Sequence, residues 1–286
     1  MREKKENESK PGLKQDYRLR NLLGLLEKEI SDYARHLTQQ IERLADIGIA
    51  LSAEHDQDKL LEMIMDEARR FTIADAGTLY MLEKDLLKFK VIQNETLGVR
   101  MAGKDIEGMD KSKGLKPVEI KKSNVSGYAA ITGKPVNIPD VYESELFDFT
   151  GPRKYDEQTG YRSKSMLVVP LKDHEDVIIG VLQLLNAKDP KTGEVIPFSR
   201  DFESLTMSLA SQAAVAITNA NLIKDLEHMI DSIVEVMATA IDERSPYTAG
   251  HIKRVAELGV LMCHTINKQK KGVFGLKNFG MDARFR

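Results

Sequence analysis

The chain has 286 residues, 42% of them hydrophobic and 30% charged, which is ordinary for a folded protein of one or two domains. Lys and Arg (42) nearly balance Asp and Glu (44), so the net charge of -2 gives no support for a nucleic-acid partner. The single cysteine, Cys263, excludes an internal disulfide and a Cys-cluster metal site, and no apolar run approaches the roughly 18 residues of a membrane span. A lone thiol fits a reducing compartment, and MREKKENESK lacks the apolar centre of a signal peptide, so the expected location is the cytoplasm.

Residues 1–16 are polar and mixed in charge, and are expected as a disordered tail. Apolar residues then follow alternating steps of four and three from Leu19 through Leu23, Leu26, Ile30 and Tyr33 to Leu51, with Gln40 as the polar member. A seven-residue repeat of that length predicts a coiled-coil helix over 17–43 that pairs with its copy in a second subunit. The other reading is an amphipathic first helix of the folded domain, which suits the last third of the stretch.

From Leu60 to Phe71 the spacing is that of a one-sided helix. Thr78 to Glu83 and Leu86 to Gln93 read as a β-hairpin across Lys84-Asp85. Residues 98–124 are loop-rich, Ser126 to Ile131 is a short helix, and Val136 to Ile138 is a brief strand. Residues 142–158 are expected to be irregular, with Phe147, Phe149 and Tyr155 among them. Ser165 to Leu171 and Val177 to Asn186 are β-branched and apolar, two buried strands joined by the charged turn Asp173 to Asp176.

Ser199 is a plausible N-cap for the last large element, with Asp201 and Glu203 in the first turn where the helix dipole favours them. No Gly or Pro follows until after Ser245, which predicts one very long helix. A second heptad seam runs along it from Leu205 and Leu209 through Gln212 to Ile223, Leu226, Ile230, Ile233 and Met237. Its first part must also cover a sheet, using Leu205, Ala213 and Ile217, while 223–244 reads as a signalling linker helix. Seams entering and leaving one domain predict a parallel homodimer.

The segment TGYRSKSMLVVPL, the Gly180-Val181 pair and the closing run Phe198 to Leu222 together resemble a GAF domain, with the likeness extending over 44–222. GAF domains are small-molecule sensor modules that usually carry no catalysis. The resemblance implies an α+β fold, an antiparallel sheet with helices on one face and a ligand pocket on the other, here flanked by long N- and C-terminal coiled-coil helices. DVYESELFDF followed by DEQTGYRSKSMLVVPL is similar to the cyclic-nucleotide-binding branch of the family. Carried over by position, Asp156, Thr159 and Ser163 would line the pocket, and Thr78 and Gln183 would complete it. Val125 and Ser126 would offer backbone groups to a phosphate at a helix start. That branch also shows Asn-Lys, then Phe, then Asp-Glu four residues later. Here Ala187 separates Asn186 from Lys188, and Phe202 separates Asp201 from Glu203, which fits a generic GAF domain better. A cyclic nucleotide, another small ligand, and a ligand-free dimerisation module or adaptor all remain open.

Beyond the long helix, Asp242-Glu243-Arg244, Pro246-Tyr247-Thr248, His251 and Arg254-Val255 resemble the opening of an HD-GYP domain. That family comprises metal-dependent phosphodiesterases acting on cyclic di-GMP. His251 resembles the first metal ligand, but the His-Asp pair that should follow is absent, and His264 and Asp282 lack matching context. The resemblance implies that 245–286 is a truncated HD-GYP fragment without catalysis of its own, and that a divalent metal belongs only to an intact domain. An active metal-dependent phosphohydrolase is the rival reading, and a haem or redox sensor is disfavoured because Cys263 lies outside the GAF region and His174 sits in a charged turn.

Overall fold

The computed structural model describes residues 11–107, 116–244 and 251–268. Its elements in chain order are α1 (Pro11–Ala53), α2 (Gln57–Thr72), β1 (Ala74–Glu83), β2 (Leu86–Asn94), β3 (Val99–Ala102), α3 (Lys104–Glu107), β4 (Val118–Glu119), α4 (Val125–Thr132), β5 (Val136–Ile138), α5 (Thr150–Thr159), β6 (Met166–Lys172), β7 (Ile178–Lys188), β8 (Val195–Ile196), α6 (Arg200–Arg244) and α7 (His251–Lys268). The chain divides into two compact units, Met1–Asn221 and Leu222–Arg286. No described helix is long and apolar enough to cross a membrane.

The strands of the first unit form one antiparallel sheet in the order β3-β2-β1-β7-β6-β5, with β4 beside β2 and β8 beside β7. The β1–β2 hairpin turns through Lys84, which adopts φ 57°, and the β6–β7 turn through Asp176 at φ 60°. Alternation along the strands sorts side chains to two faces. Leu79, Leu167, Val169, Leu182 and Leu184 join one apolar cluster with Leu60 and Ile64 of α2 and Ala213 and Ile217 of α6. Tyr80, Met166, Val168 and Val181 join a second cluster with Val125 and Ala129 of α4 and Phe149. The long helices therefore hold one face and short helices and loops hold the other.

Local signals explain the helix limits. Asp56 caps α2 by accepting from the Asp58 and Lys59 amides at 3.0 and 3.2 Å. Ser199 caps α6 through its Oγ, which accepts from the Phe202 amide at 3.1 Å. Along α1, Ile47 and Leu51 are buried, whereas Leu23, Leu26, Ile30 and Tyr33 are all exposed. In the second unit, Leu226, Ile230, Ile233 and Met237 of α6 are exposed in the same way.

Two expectations need correction. The tail expected to be disordered over 1–16 is helical from Pro11 onward, and 1–10 lies outside the described residues. Pro11 opens the helix, where a missing N–H and a fixed φ suit the first turn, and helix propagation is easy once a long neighbour is formed. The stretch 142–158 is not irregular throughout, because α5 begins at Thr150. Gly151 and Pro152 both fall in the first turn of α5, where proline removes no helical hydrogen bond.

Candidate functional site

The face opposite α2 and α6 carries the polar side chains. Thr78 on β1 stands directly across from Gln183 on β7, and Val168 on β6 flanks Gln183 on its other side. Helix α4 is laid over this row. Its N-cap, Asn124, accepts from the Gly127 amide at 2.5 Å. A Cβ at Gly127 would lie 2.5 Å from the Lys121 carbonyl, so only glycine lets the chain approach so closely. With the helix start fixed, the Ser126 Oγ donates to the Gln183 Oε1 at 2.9 Å. Val125 and Ser126 are both buried beneath the loop that follows β5, whose Asp148 amide donates to the Ser123 carbonyl at 2.7 Å.

Tyr80, two residues after Thr78, belongs to the same row. Burial pushes its hydroxyl well above the usual phenol range, opposed by a hydrogen bond with Thr78. Tyr80 is not among the residues that family likeness points to. The signal that could have found it is the period-two alternation that places it beside Thr78. Thr78, Tyr80, Ser126 and Gln183 thus gather hydroxyl and amide groups over an apolar floor of Val168 and Val181.

The second group of expected residues forms a separate knot. Asp156 of α5 is 4% exposed, and its Oδ2 accepts from the Ser163 amide at 2.7 Å and the Tyr142 hydroxyl at 2.8 Å. Its Oδ1 accepts from the Ser163 Oγ at 2.9 Å. The carboxylate holds the Tyr142 phenol above its ordinary value by accepting that hydrogen bond. Asp156 and Ser163 are thereby brought together as a brace between α5, the loop before β6 and the loop after β5. Thr159 is not part of the knot. It is exposed, and its hydroxyl donates to the Tyr155 carbonyl at 2.8 Å within its own helix.

The Asn186 and Lys188 positions that depart from the cyclic-nucleotide pattern have structural partners. Asn186 adopts φ 56°, its Oδ1 accepts from the Lys164 amide at 2.7 Å, and its Nδ2 donates to the Tyr161 hydroxyl and the Arg162 carbonyl at 2.9 and 2.8 Å. Lys188 forms an ion pair with Asp75, which is 1% exposed and also accepts from the Tyr161 hydroxyl and from Thr96. Burial alone would raise the Asp75 pKa, but hydrogen bonds from Lys188, Tyr161 and Thr96, with the Lys188 charge, hold it below the usual carboxylate range. The TGYRS segment is therefore pinned to the ends of β1 and β7.

One strand links this face to α6. Asn137 on β5 donates through Nδ2 to the Phe198 carbonyl at 3.0 Å and to Glu203 at 3.2 Å, while Val136 and Ile138 turn toward the polar face. Among the described residues no group of three or more His, Cys, Asp or Glu side chains is gathered as a metal site would need. His251 is the first residue of α7. A groove of about 660 Å3 runs between α1 and α6, lined by Ala45, Gly48, Ile49, Ser52, Gln212 and Val215 among others.

Residues 56–217 match the family model of the GAF domain. A stretch of 100 residues is 36% identical to the dual 3',5'-cyclic-AMP and -GMP phosphodiesterase 11 of Drosophila melanogaster, covering 35% of this chain and only 6% of the fly protein. Among solved structures, the GAF domain of a phosphoenolpyruvate-protein phosphotransferase from Acinetobacter is 16% identical with TM-score 0.46, over 65% of this chain and 98% of that one. The GAF domain/HD domain protein of Geobacter sulfurreducens is 17% identical with TM-score 0.43, over 60% of this chain and 98% of that one. The free methionine-R-sulfoxide reductase of Neisseria meningitidis is 16% identical with TM-score 0.45, over 64% and 91%.

Proposed function

This chain belongs to the GAF domain family, and from that membership we propose that it is a dimeric sensor whose sheet face beneath α4 binds a cyclic nucleotide. The observation that carries the reading is the bond from Ser126, at the start of α4, to Gln183, which stands opposite Thr78. A purine edge needs paired donors and acceptors, which an amide and two hydroxyls supply. A cyclic phosphate needs free N–H groups, which the start of α4 offers at Val125 and Ser126. The likeness to a phosphodiesterase named for cyclic AMP and cyclic GMP supports the same ligand class. Asp156 and Ser163 take part as the brace that shapes the loop, and Thr159 lies outside the contact set.

The signal path runs through β5. A ligand that settles against Val136 and Ile138 shifts Asn137, which holds the first turn of α6. The ligand biases the two states of α6 only by its difference in affinity for them. The exposed heptad seams of α1 and of α6 are the surfaces we assign to a parallel homodimer. The output we assign is an HD-GYP domain acting on cyclic di-GMP, whose opening the motifs from Asp242 to Val255 resemble, with His251 a metal ligand only beside the further ligands of an intact domain.

A thermal-shift titration with cyclic AMP, cyclic GMP and cyclic di-GMP tests the ligand. Binding at 100 times the Kd stabilises a domain by about 2.7 kcal/mol, and Gln183→Leu should cut that shift to about half at the same ligand concentration. If none of the three moves the transition, the cyclic-nucleotide reading fails. The adaptor reading, favoured by the exposed seams and the α1–α6 groove, then takes its place. Spin labels near Leu226 check the coupling, since distances across a dimer that ignore saturating ligand would defeat the proposed path.

A further inference from the structure

Beside the Asp156 knot, two guanidinium groups share one aromatic ring. Arg153 of α5 lies 5.5 Å from the Tyr142 ring centroid, and Arg162 of the following loop lies 4.6 Å from it. Both arginines are exposed. Among the described residues neither is held by a carboxylate in an ion pair, although Glu143, Glu145 and Glu157 are near in sequence. Among the described residues the Arg153 side chain donates a single long bond of 3.4 Å, to the Tyr142 carbonyl.

Stacking on a ring is weakly favourable at an exposed site. The same stacking holds two like charges within about a Debye length of each other, which opposes it. A guanidinium carries five N–H donors, and apart from the Arg153 bond to the Tyr142 carbonyl none of the side-chain donors of either arginine is held by a carboxylate ion pair among the described residues. The shelf itself is rigid, because the Tyr142 hydroxyl is bound to the buried Asp156 and the Tyr142 amide to Asp140 at 2.8 Å. The Asp156 carboxylate, at the hydroxyl end of the ring, accepts from Ser163 and Tyr142, and among the described residues no ion pair joins it to either arginine. From 152 to 164 the chain carries four basic side chains, Arg153, Lys154, Arg162 and Lys164, against Glu157 and the buried Asp156.

We propose that Arg153 and Arg162, seated on Tyr142, form an anion site that takes a phosphoryl group between their guanidinium forks. Paired N–H edges match the oxygens of a phosphate in a way a lysine does not. The site is built from different residues than the Thr78–Ser126–Gln183 row and does not depend on that row binding a nucleotide. The phosphoryl group can come from the free anion or from a nucleotide, and the two sources are separable.

The test follows the side-chain Nε–H resonances of the full chain by NMR while inorganic phosphate is added, against sodium chloride at matched ionic strength. Saturable shifts of Arg153 and Arg162 in the millimolar range, absent with chloride, are expected. Arg153→Gln and Arg162→Gln should each weaken the midpoint at least fivefold, and both are exposed substitutions that leave the fold intact. Tyr142→Phe keeps the ring and should keep the site, whereas Lys172→Gln, on β6 away from the ring, should change nothing. Cyclic AMP or cyclic GMP moving the same resonances at lower concentration than phosphate would assign the anion to a nucleotide, and phosphate alone would assign it to the free ion. Shifts no larger than those from chloride, or midpoints unmoved by both arginine variants, would overturn the proposal.

Discussion

Leu182 and Gln183 are neighbours on β7, yet they answer to different demands. Leu182 is fully buried against α2 and α6 in a cluster made only of apolar side chains. Gln183 faces the other way, part-exposed and bonded to Ser126, among residues that mix hydroxyls, amides and aromatic rings. The first face is filled to close packing and its chemistry is interchangeable, so its task is stability. The second face also buries polar groups that add little to stability, as the ligand site proposed above would require.

Substitutions can break this contrast in turn. The largest effect is expected for Leu182→Ala, about 2–5 kcal/mol of unfolding free energy by chemical denaturation, because a filled apolar site leaves a cavity. The folded fraction should keep its ligand response. Lys188→Met comes next, about 2–3 kcal/mol, at the low end for a broken buried pair because Lys188 is 30% exposed. It should also change the acid limb. The Asp75 pKa is depressed in the folded state, so its contribution is present at neutral pH and is lost as pH falls through that low value. Without Lys188 the burial of Asp75 dominates, and stability measured from pH 7 to pH 3 should begin to change at higher pH than in the parent. A Lys188→Met protein with an unchanged acid limb would show that the ion pair is not what holds Asp75 charged.

Smaller effects sharpen the other face. Gln183→Leu should move stability by less than about 1 kcal/mol, while ligand affinity measured by calorimetry drops about tenfold, or about 1.4 kcal/mol. Equal losses in stability and affinity would remove the distinction between the faces. The smallest effect is Ser199→Ala, about 1 kcal/mol from a lost N-cap, read as a lower denaturation midpoint with no change in ligand response.

The strands, the hairpin turn at Lys84 and the caps at Ser199 and Asn124 rest on local chemistry, and most of them are legible in the amino-acid sequence. The seam from Leu23 to Tyr33 is legible too, because a heptad repeat is a property of spacing alone. Helix α5 is not, since Gly151 and Pro152 break helices in general and are harmless only in a first turn. Among the site residues, Gln183 and Ser126 come together across 57 positions of chain, and family likeness rather than spacing points to them. The same likeness points to Thr159, which the structure leaves exposed with its hydroxyl donating to a carbonyl of its own helix.

By itself, then, the sequence determined most element types apart from α5 and the start of α1, the two heptad seams and the likeness to a sensor family, which rest on periodicity and short motifs. Only the tertiary structure decided that Asp156 serves as a brace and that Tyr80 joins the polar row. The pairing of Lys188 with Asp75 and the stacking of Arg153 and Arg162 on one ring were decided there as well. The physical reason is common to these cases. A polar side chain takes whatever partner burial leaves within reach, and that partner lies on another element whose position no local pattern encodes.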